Sequence, residues 1–328
     1  MKAFILALAM GASATAVAAQ DYTLRFAHQL PPQHYLAQEY ETWAQNIENR
    51  SGGAINVEIF PAAQAFKPDQ VFPAVAQGRI EAGMQMTFQW GNTVPEMAIM
   101  TVPYMLTNEV QADKFVNGSA AQKIIEDELS SKGVKNLAWL YMGNTTVFMS
   151  KDKMLLEPAD LNGLRIRGLD KVYDAGIEAV GAEAVIMPGS EVYQALQTGI
   201  VKAAVGDLLG IDSRKYYEVQ NYANVTPTNA VFSHIIINPA WYEKLDEDAR
   251  KALDEASGEL QARLIATFPD RAAEGWERVK DKIELHQQTP EEAATWKAEM
   301  QPASIEMFLK GASKNGQALI AAMEDLNQ

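Results

Sequence analysis

Val71-Phe72-Pro73-Ala74-Val75-Ala76-Gln77-Gly78-Arg79-Ile80-Glu81-Ala82 aligns without a gap on Val192-Tyr193-Gln194-Ala195-Leu196-Gln197-Thr198-Gly199-Ile200-Val201-Lys202-Ala203. Each copy is apolar at helical spacing, stops at a glycine and runs at once into a β-rich stretch, so each reads as a short helix followed by a strand. Two such units about 120 residues apart are too widely spaced for a solenoid. They suit two α/β lobes of similar plan facing each other across a cleft. Ligands in such sheets bind beyond the strand ends, and the gap between two lobes is a natural pocket.

The sequence around the first copy predicts strands at 22–27, 55–60 and 82–87, with a helix at 35–50 closed by Gly52-Gly53. This βαβαβ order implies a mostly parallel sheet with helices on both faces. A helix over 112–132 and a strand over 134–141 follow. Around the second copy the pattern predicts strands at 164–168 and 184–187 with a helix at 171–180 between them. A short helix or edge follows near 216–222, and an apolar strand at 230–238. From Pro239 the chain is almost purely helical, with one long run near 246–282 that contains Pro269 and further helices over 290–326. With no flexible linker, the lobes must be joined by crossing strands. The expected division is 20–144 plus about 233–272 for lobe I, and 145–232 plus about 273–328 for lobe II. The helix near 246–282 would span both and, with the tail, brace them from behind.

Residues 1–19 read as a secretory signal. Lys2 is followed by a short apolar run, and Ala16-Val17-Ala18 supplies small residues for cleavage near Ala18 or Ala19. The apolar run is shorter than the ~20 residues a membrane span needs. The mature chain is therefore expected to be soluble and exported. It has no cysteine, which fits export without a disulfide framework and removes thiol nucleophiles and cysteine metal sites. The formal charge of −14 becomes −15 when Lys2 leaves (−14 minus +1), and such a chain repels phosphate backbones, which argues against nucleic acid as a partner.

Pro158-Ala159-Asp160-Leu161-Asn162-Gly163-Leu164-Arg165-Ile166-Arg167, paired with Gly189-Ser190-Glu191 and the second copy, resembles the solute receptors of tripartite ATP-independent periplasmic (TRAP) transporters, of the DctP type. Lys215-Tyr216-Tyr217-Glu218-Val219, Val102-Pro103-Tyr104-Met105-Leu106 and the stretch from Ser51-Gly52-Gly53 to Phe60-Pro61 match the same family. The likeness covers nearly the whole mature chain. It implies an α/β two-lobed periplasmic binding protein of the Venus-flytrap kind, without a cofactor. Such a receptor closes on a small organic acid and delivers it to a sodium-driven membrane permease. It also implies that Arg167, the last residue of the LNGLRIR strand, holds the ligand carboxylate. The chemistry agrees, because a guanidinium offers a rigid fork that matches a carboxylate bidentately. On a regular strand Arg165 and Arg167 would share a face, and only Arg167's place at the strand end separates them.

This chain departs from the family pattern where members often carry a second Arg and a Glu-Asn-Pro run. Thr146 stands at the first position and Val205-Gly206-Asp207 at the second. Without that second cation a dicarboxylate would keep one charge poorly matched. The expected ligand is therefore a polar or hydroxylated monocarboxylate, with Asp207 an acceptor for a hydroxyl, an ammonium or a bound cation. Further pocket candidates at strand ends and at the crossover are His28, Gln29, Phe66, Gln89, Trp90, Tyr141, Asn144 and Asp170.

The four histidines show no metal-ligand spacing, and there is no GxSxG, P-loop or GxGxxG after a strand. The alternatives are an exported hydrolase or isomerase using Asp170 and Asp207 as acid and base, and a ligand-sensing partner of a membrane signalling protein.

Overall fold

A computed structural model of the chain describes residues 22–91 and 93–327; the expected signal segment lies outside them. In chain order the first part holds β1 (Tyr22–Ala27), α1 (Tyr35–Arg50), β2 (Ile55–Phe60), α2 (Pro68–Ala76), β3 (Ala82–Met86), α3 (Glu109–Val116), α4 (Ala120–Ser131) and β4 (Lys135–Gly143). The middle part holds β5 (Thr146–Ser150), β6 (Arg165–Arg167), α5 (Lys171–Ala179), β7 (Glu183–Val185), α6 (Val192–Thr198), β8 (Ala203–Asp207), α7 (Leu208–Ser213) and β9 (Tyr222–Thr226). The last part holds β10 (Val231–Ile237), α8 (Pro239–Tyr242), α9 (Glu247–Ala266), α10 (Phe268–Val279), β11 (Glu284–Gln287), α11 (Pro290–Gly311) and α12 (Gly316–Glu324).

The strands form two sheets built on one plan. The first runs β2-β1-β3-β10-β4, and the second, read from its far edge, β7-β6-β8-β5-β9-β11. In each, the first three strands are parallel and the fourth, β10 or β5, pairs antiparallel with the neighbour on either side. The repeated segments occupy equivalent places. α2 leads to β3 and α6 to β8, and Gly78 (φ 68°) and Gly199 (φ 74°) make the same left-handed exit. Glycine is the residue that adopts that conformation without a Cβ clash.

The chain crosses between the sheets from β4 to β5 and from β9 back to β10. A third passage lies in the run 246–282, which is two helices rather than one. Pro269 has no N–H for the helical ladder, and α9 ends at Ala266 before α10 begins at Phe268. α9 packs on β4 and α1 of the first sheet, with Trp43 Nε1 donating to Ser257 Oγ at 3.0 Å. α10 packs on α7 of the second sheet. The helix expected over 112–132 likewise breaks, at Asn117-Gly118, where Gly118 takes φ 93°. α11 lies against α5, while α12 packs on α4, its Leu319 and Met323 buried in the same core as Phe115 and Ile125. The C-terminal helices thus pack against helices of both lobes. Among the described residues no helix is long and apolar enough to cross a membrane.

Candidate functional site

The three-residue strand β6 sends its two arginines to different surroundings. Arg165 is exposed and pairs with Glu183 at 3.1 Å, whereas Ile166 is core and Arg167 is buried, 4% exposed. Arg167 closes the strand, and Gly168 follows it. Gly168 does not need a left-handed backbone; its missing side chain leaves room for the carboxyl of Asp174, which accepts from Leu169 N–H at 2.9 Å. The chain can therefore turn into α5 directly after Arg167.

The guanidinium of Arg167 is held by its own lobe. Nη1 donates to the carbonyl of Val205 at 2.8 Å, and Nε and Nη2 donate to the carbonyl of Met187 at 3.4 and 3.2 Å. Those bonds use three of the five N–H groups an arginine carries. The two that remain sit on Nη1 and Nη2, the number a carboxylate needs for a bidentate pair. From the first lobe the ring of Phe88 covers the group, 5.7 Å from Cζ. Burial pushes the arginine's pKa down while Tyr216, Asp174 and Asp207 pull it up; arginine stays charged in any case.

Arg167 faces a cavity of about 70 Å³ between the sheets. Its polar lining is Gln29, His34 and Thr87 from the first lobe, Thr146, Arg167, Asp207, Arg214 and Tyr216 from the second, and Asn229 from the crossing segment. Gly189 and Gly206 present bare backbone there. Thr146 Oγ1 donates to Asn229 Oδ1 at 3.0 Å, tying the two crossings together. Asp207 caps α7 by accepting from Gly210 N–H at 2.8 Å. Burial raises its pKa, and the backbone bond, Arg214 and Arg167 oppose that shift. His34 caps α1 by accepting from Leu36 N–H at 3.2 Å, and burial with Arg214 nearby holds its pKa down to about 3. It is neutral at pH 7. The lining thus carries two guanidinium groups and one carboxyl group, a formal charge of +1 with Asp207 ionised.

Of the residues singled out from sequence, the structure brings Gln29, Thr146, Arg167, Gly206 and Asp207 to this cavity. The others lie elsewhere. Tyr141 is core, packed between Phe232 and Phe268. Trp90 is core as well, donating from Nε1 to His234 Nε2 at 2.7 Å. His28 shapes the end of β1, its Nδ1 accepting from Leu30 N–H at 3.2 Å. Phe66 packs at the edge of the first core under Arg79. Asn144 donates to the carbonyl of Thr107 at the crossover. Gln89 and Asp170 line a separate, larger cavity of about 580 Å³, walled off by Phe88 and Leu169. Asp170 caps α5, accepting from Val172 and Tyr173 N–H at 2.9 Å and from Thr101 Oγ1 at 2.8 Å. The acid–base pair Asp170/Asp207 is therefore not assembled: each carboxylate caps its own helix and faces its own cavity.

The expectation that Arg167 stands without a second cation is corrected. Thr146 lines the cavity, but so does Arg214, at the C-terminal end of α7. His34, Tyr216 and Asn229 were also missed. Tyr216 lies in the Lys215–Val219 motif, so its neighbourhood was marked, whereas Arg214 stands just outside that motif.

The model of the DctP family, described as bacterial extracellular solute-binding protein, family 7, matches residues 26–311. The chain is 28% identical to the C4-dicarboxylate-binding periplasmic protein DctP of Rhodobacter capsulatus, over 98% of this chain and 97% of that one. It is 27% identical to the 2,3-diketo-L-gulonate-binding periplasmic protein YiaO of Escherichia coli, over 80% of each. Among solved structures it is similar to a TRAP periplasmic solute-binding protein from Desulfovibrio salexigens with bound orotic acid, with TM-score 0.86, 26% identity and coverage of 93% and 98% of the two chains. A succinate-bound TRAP solute-binding protein from Sulfurospirillum deleyianum gives TM-score 0.82, 25% identity and coverage of 93% and 99%. Two sheets on one plan, a cavity between them and a family match that spans both place the chain: it belongs to the bacterial extracellular solute-binding proteins of family 7, the DctP family.

Proposed function

We propose that this chain is the periplasmic receptor of a TRAP transporter, exported by cleavage near Ala18 or Ala19. It binds a short, polar or hydroxylated monocarboxylate and hands it to the sodium-driven permease without transforming it. The observation that carries this reading is the buried guanidinium of Arg167, fixed by two carbonyls with two N–H groups left for a carboxylate. The cavity's volume supports a small ligand. At about 70 Å³ the cavity suits a small acid rather than a bulky one. Its formal charge of +1, counted with Asp207 ionised, supports a monoanion. Relatives at 25–28% identity are named for C4-dicarboxylates or 2,3-diketo-L-gulonate, or hold orotic acid or succinate, so the general class is the small organic acid.

A thermal-shift screen on refolded, ligand-stripped protein tests the proposal. An acid at 100 times its Kd adds about 2.7 kcal/mol and raises Tm, and NMR should show it unchanged after prolonged incubation. A shift produced only by uncharged sugars or by cations, or turnover of the ligand, would overturn the reading.

A further inference from the structure

Arg214 is a charged group in the cleft that the carboxylate anchor does not explain. It is half-buried, lies beside Gly189 and lines both the inner cavity and an outer one of about 290 Å³ at the cleft's mouth, which Pro31, Ala63 and Tyr193 also line. It forms no ion pair among the described residues. Its position is built. Arg214 N–H donates to the carbonyl of Gly210 at 3.0 Å, and Lys215 next to it takes φ 56°, a left-handed backbone that side chains other than glycine rarely adopt. That turn ends α7 and sends Tyr216 back to Gly189, whose carbonyl accepts from Tyr216 Oη at 3.3 Å. Asp207 acts on Arg214 through space without closing to an ion pair, so a guanidinium half removed from water gains from an acceptor that enters the cleft.

We infer that Arg214 is a second ligand-binding residue, and that Arg167, Arg214 and Asp207 together select ligand charge: two guanidinium groups and one carboxylate leave room for one negative charge on the ligand. The ligand then bridges the cavity, its carboxylate on Arg167 and a neutral acceptor, a hydroxyl or carbonyl oxygen, on Arg214. Asp207, the one carboxylate among the described lining residues, disfavours a second ligand carboxylate. This inference rests on the organic-acid reading above and adds the residue that sets its specificity.

Calorimetric titration of the stripped full-length mature protein with lactate, pyruvate, malonate and succinate at neutral pH tests it, using wild type, Arg214→Gln and Asp207→Asn. Asparagine caps helices as well as aspartate does, so Asp207→Asn should keep α7, and unliganded melting curves check that both variants fold. Wild type should bind at least one monocarboxylate tenfold or more tighter than either dicarboxylate. Arg214→Gln should weaken that monocarboxylate tenfold or more. Asp207→Asn, which raises the cavity's charge to +2, should move the preference at least tenfold toward the dicarboxylates. Wild-type binding with Arg214→Gln within twofold, an unmoved preference in Asp207→Asn, or succinate as the tightest probe would overturn this inference alone. Binding of none of the four would overturn it together with the short-acid reading.

Discussion

Gly168→Ala tests how the anchor is built, because it adds one methyl group and nothing else. The backbone at Gly168 is not left-handed, so alanine fits it, and the stiffer unfolded chain alone would contribute about 0.4–1 kcal/mol of stability. The structure opposes this. A Cβ at 168 would overlap the carboxyl of Asp174, the group that satisfies Leu169 N–H. Overpacking costs about 1–3 kcal/mol, and a buried N–H left without its acceptor costs about 1–3 kcal/mol more. The net loss should be about 1–5 kcal/mol, read as a lower urea midpoint at an unchanged m-value. The cause can be isolated by a double-mutant cycle. Asp174→Ala removes the obstruction, so Gly168→Ala should cost little in that background, with a coupling close to the loss seen in the single variant. Strict additivity, or a single variant within 0.5 kcal/mol of wild type, would refute the packing argument.

Gly143 makes the β4–β5 crossing at φ 129°, and a Cβ there would enter the ring of Phe268. Gly143→Ala should therefore destabilise by about 2–6 kcal/mol from backbone strain plus overpacking, measured by urea unfolding. Burial raises the pKa of Asp174 to about 7 and that of Asp170 to about 6. The folded state thus keeps protons that the unfolded state releases, and the part of the stability these two groups supply is full below pH 4 and falls between about pH 4 and 7. Asp174→Asn should flatten that fall in urea midpoints taken across the range, and parallel profiles would contradict the assignment. Crossing segments without a flexible linker imply closure about a few residues, so small-angle scattering should give a smaller radius of gyration with ligand than without, and identical curves would indicate a rigid pocket.

The duplicated helix–glycine–strand segment was enough to read two lobes of one plan, because a left-handed exit at Gly78 and Gly199 is a backbone requirement written in a single residue type. Strands without alternation were harder to see. β9 buries the polar Asn224, whose Nδ2 donates to the carbonyl of Leu155, and β11 is the short polar stretch ELHQ. The break between α9 and α10 turns on Pro269, visible in the sequence but outweighed by the helical pattern on either side. At the site, Arg167 was readable through its motif. The rule that strand ends line a cleft brought in Gln29 but also Trp90 and Tyr141, whose rings turn into the core instead. Arg214 could not be read, since only the left-handed turn at Lys215 distinguishes it from a surface charge.

The central claim is that Arg167 holds the carboxylate of a small organic acid. Calorimetry with the best acid from the thermal screen, on wild type, Arg167→Lys, Arg167→Ala and the exposed control Arg165→Ala, tests it most directly. Arg167→Ala should lose about 2–5 kcal/mol of binding, roughly 30-fold to a few thousand-fold in Kd. Arg167→Lys should lose much of it too, because three ammonium protons cannot serve Val205, Met187 and a bidentate carboxylate at once. Arg165→Ala should bind as wild type does. Unchanged affinity in both Arg167 variants, with folding intact, would contradict the account.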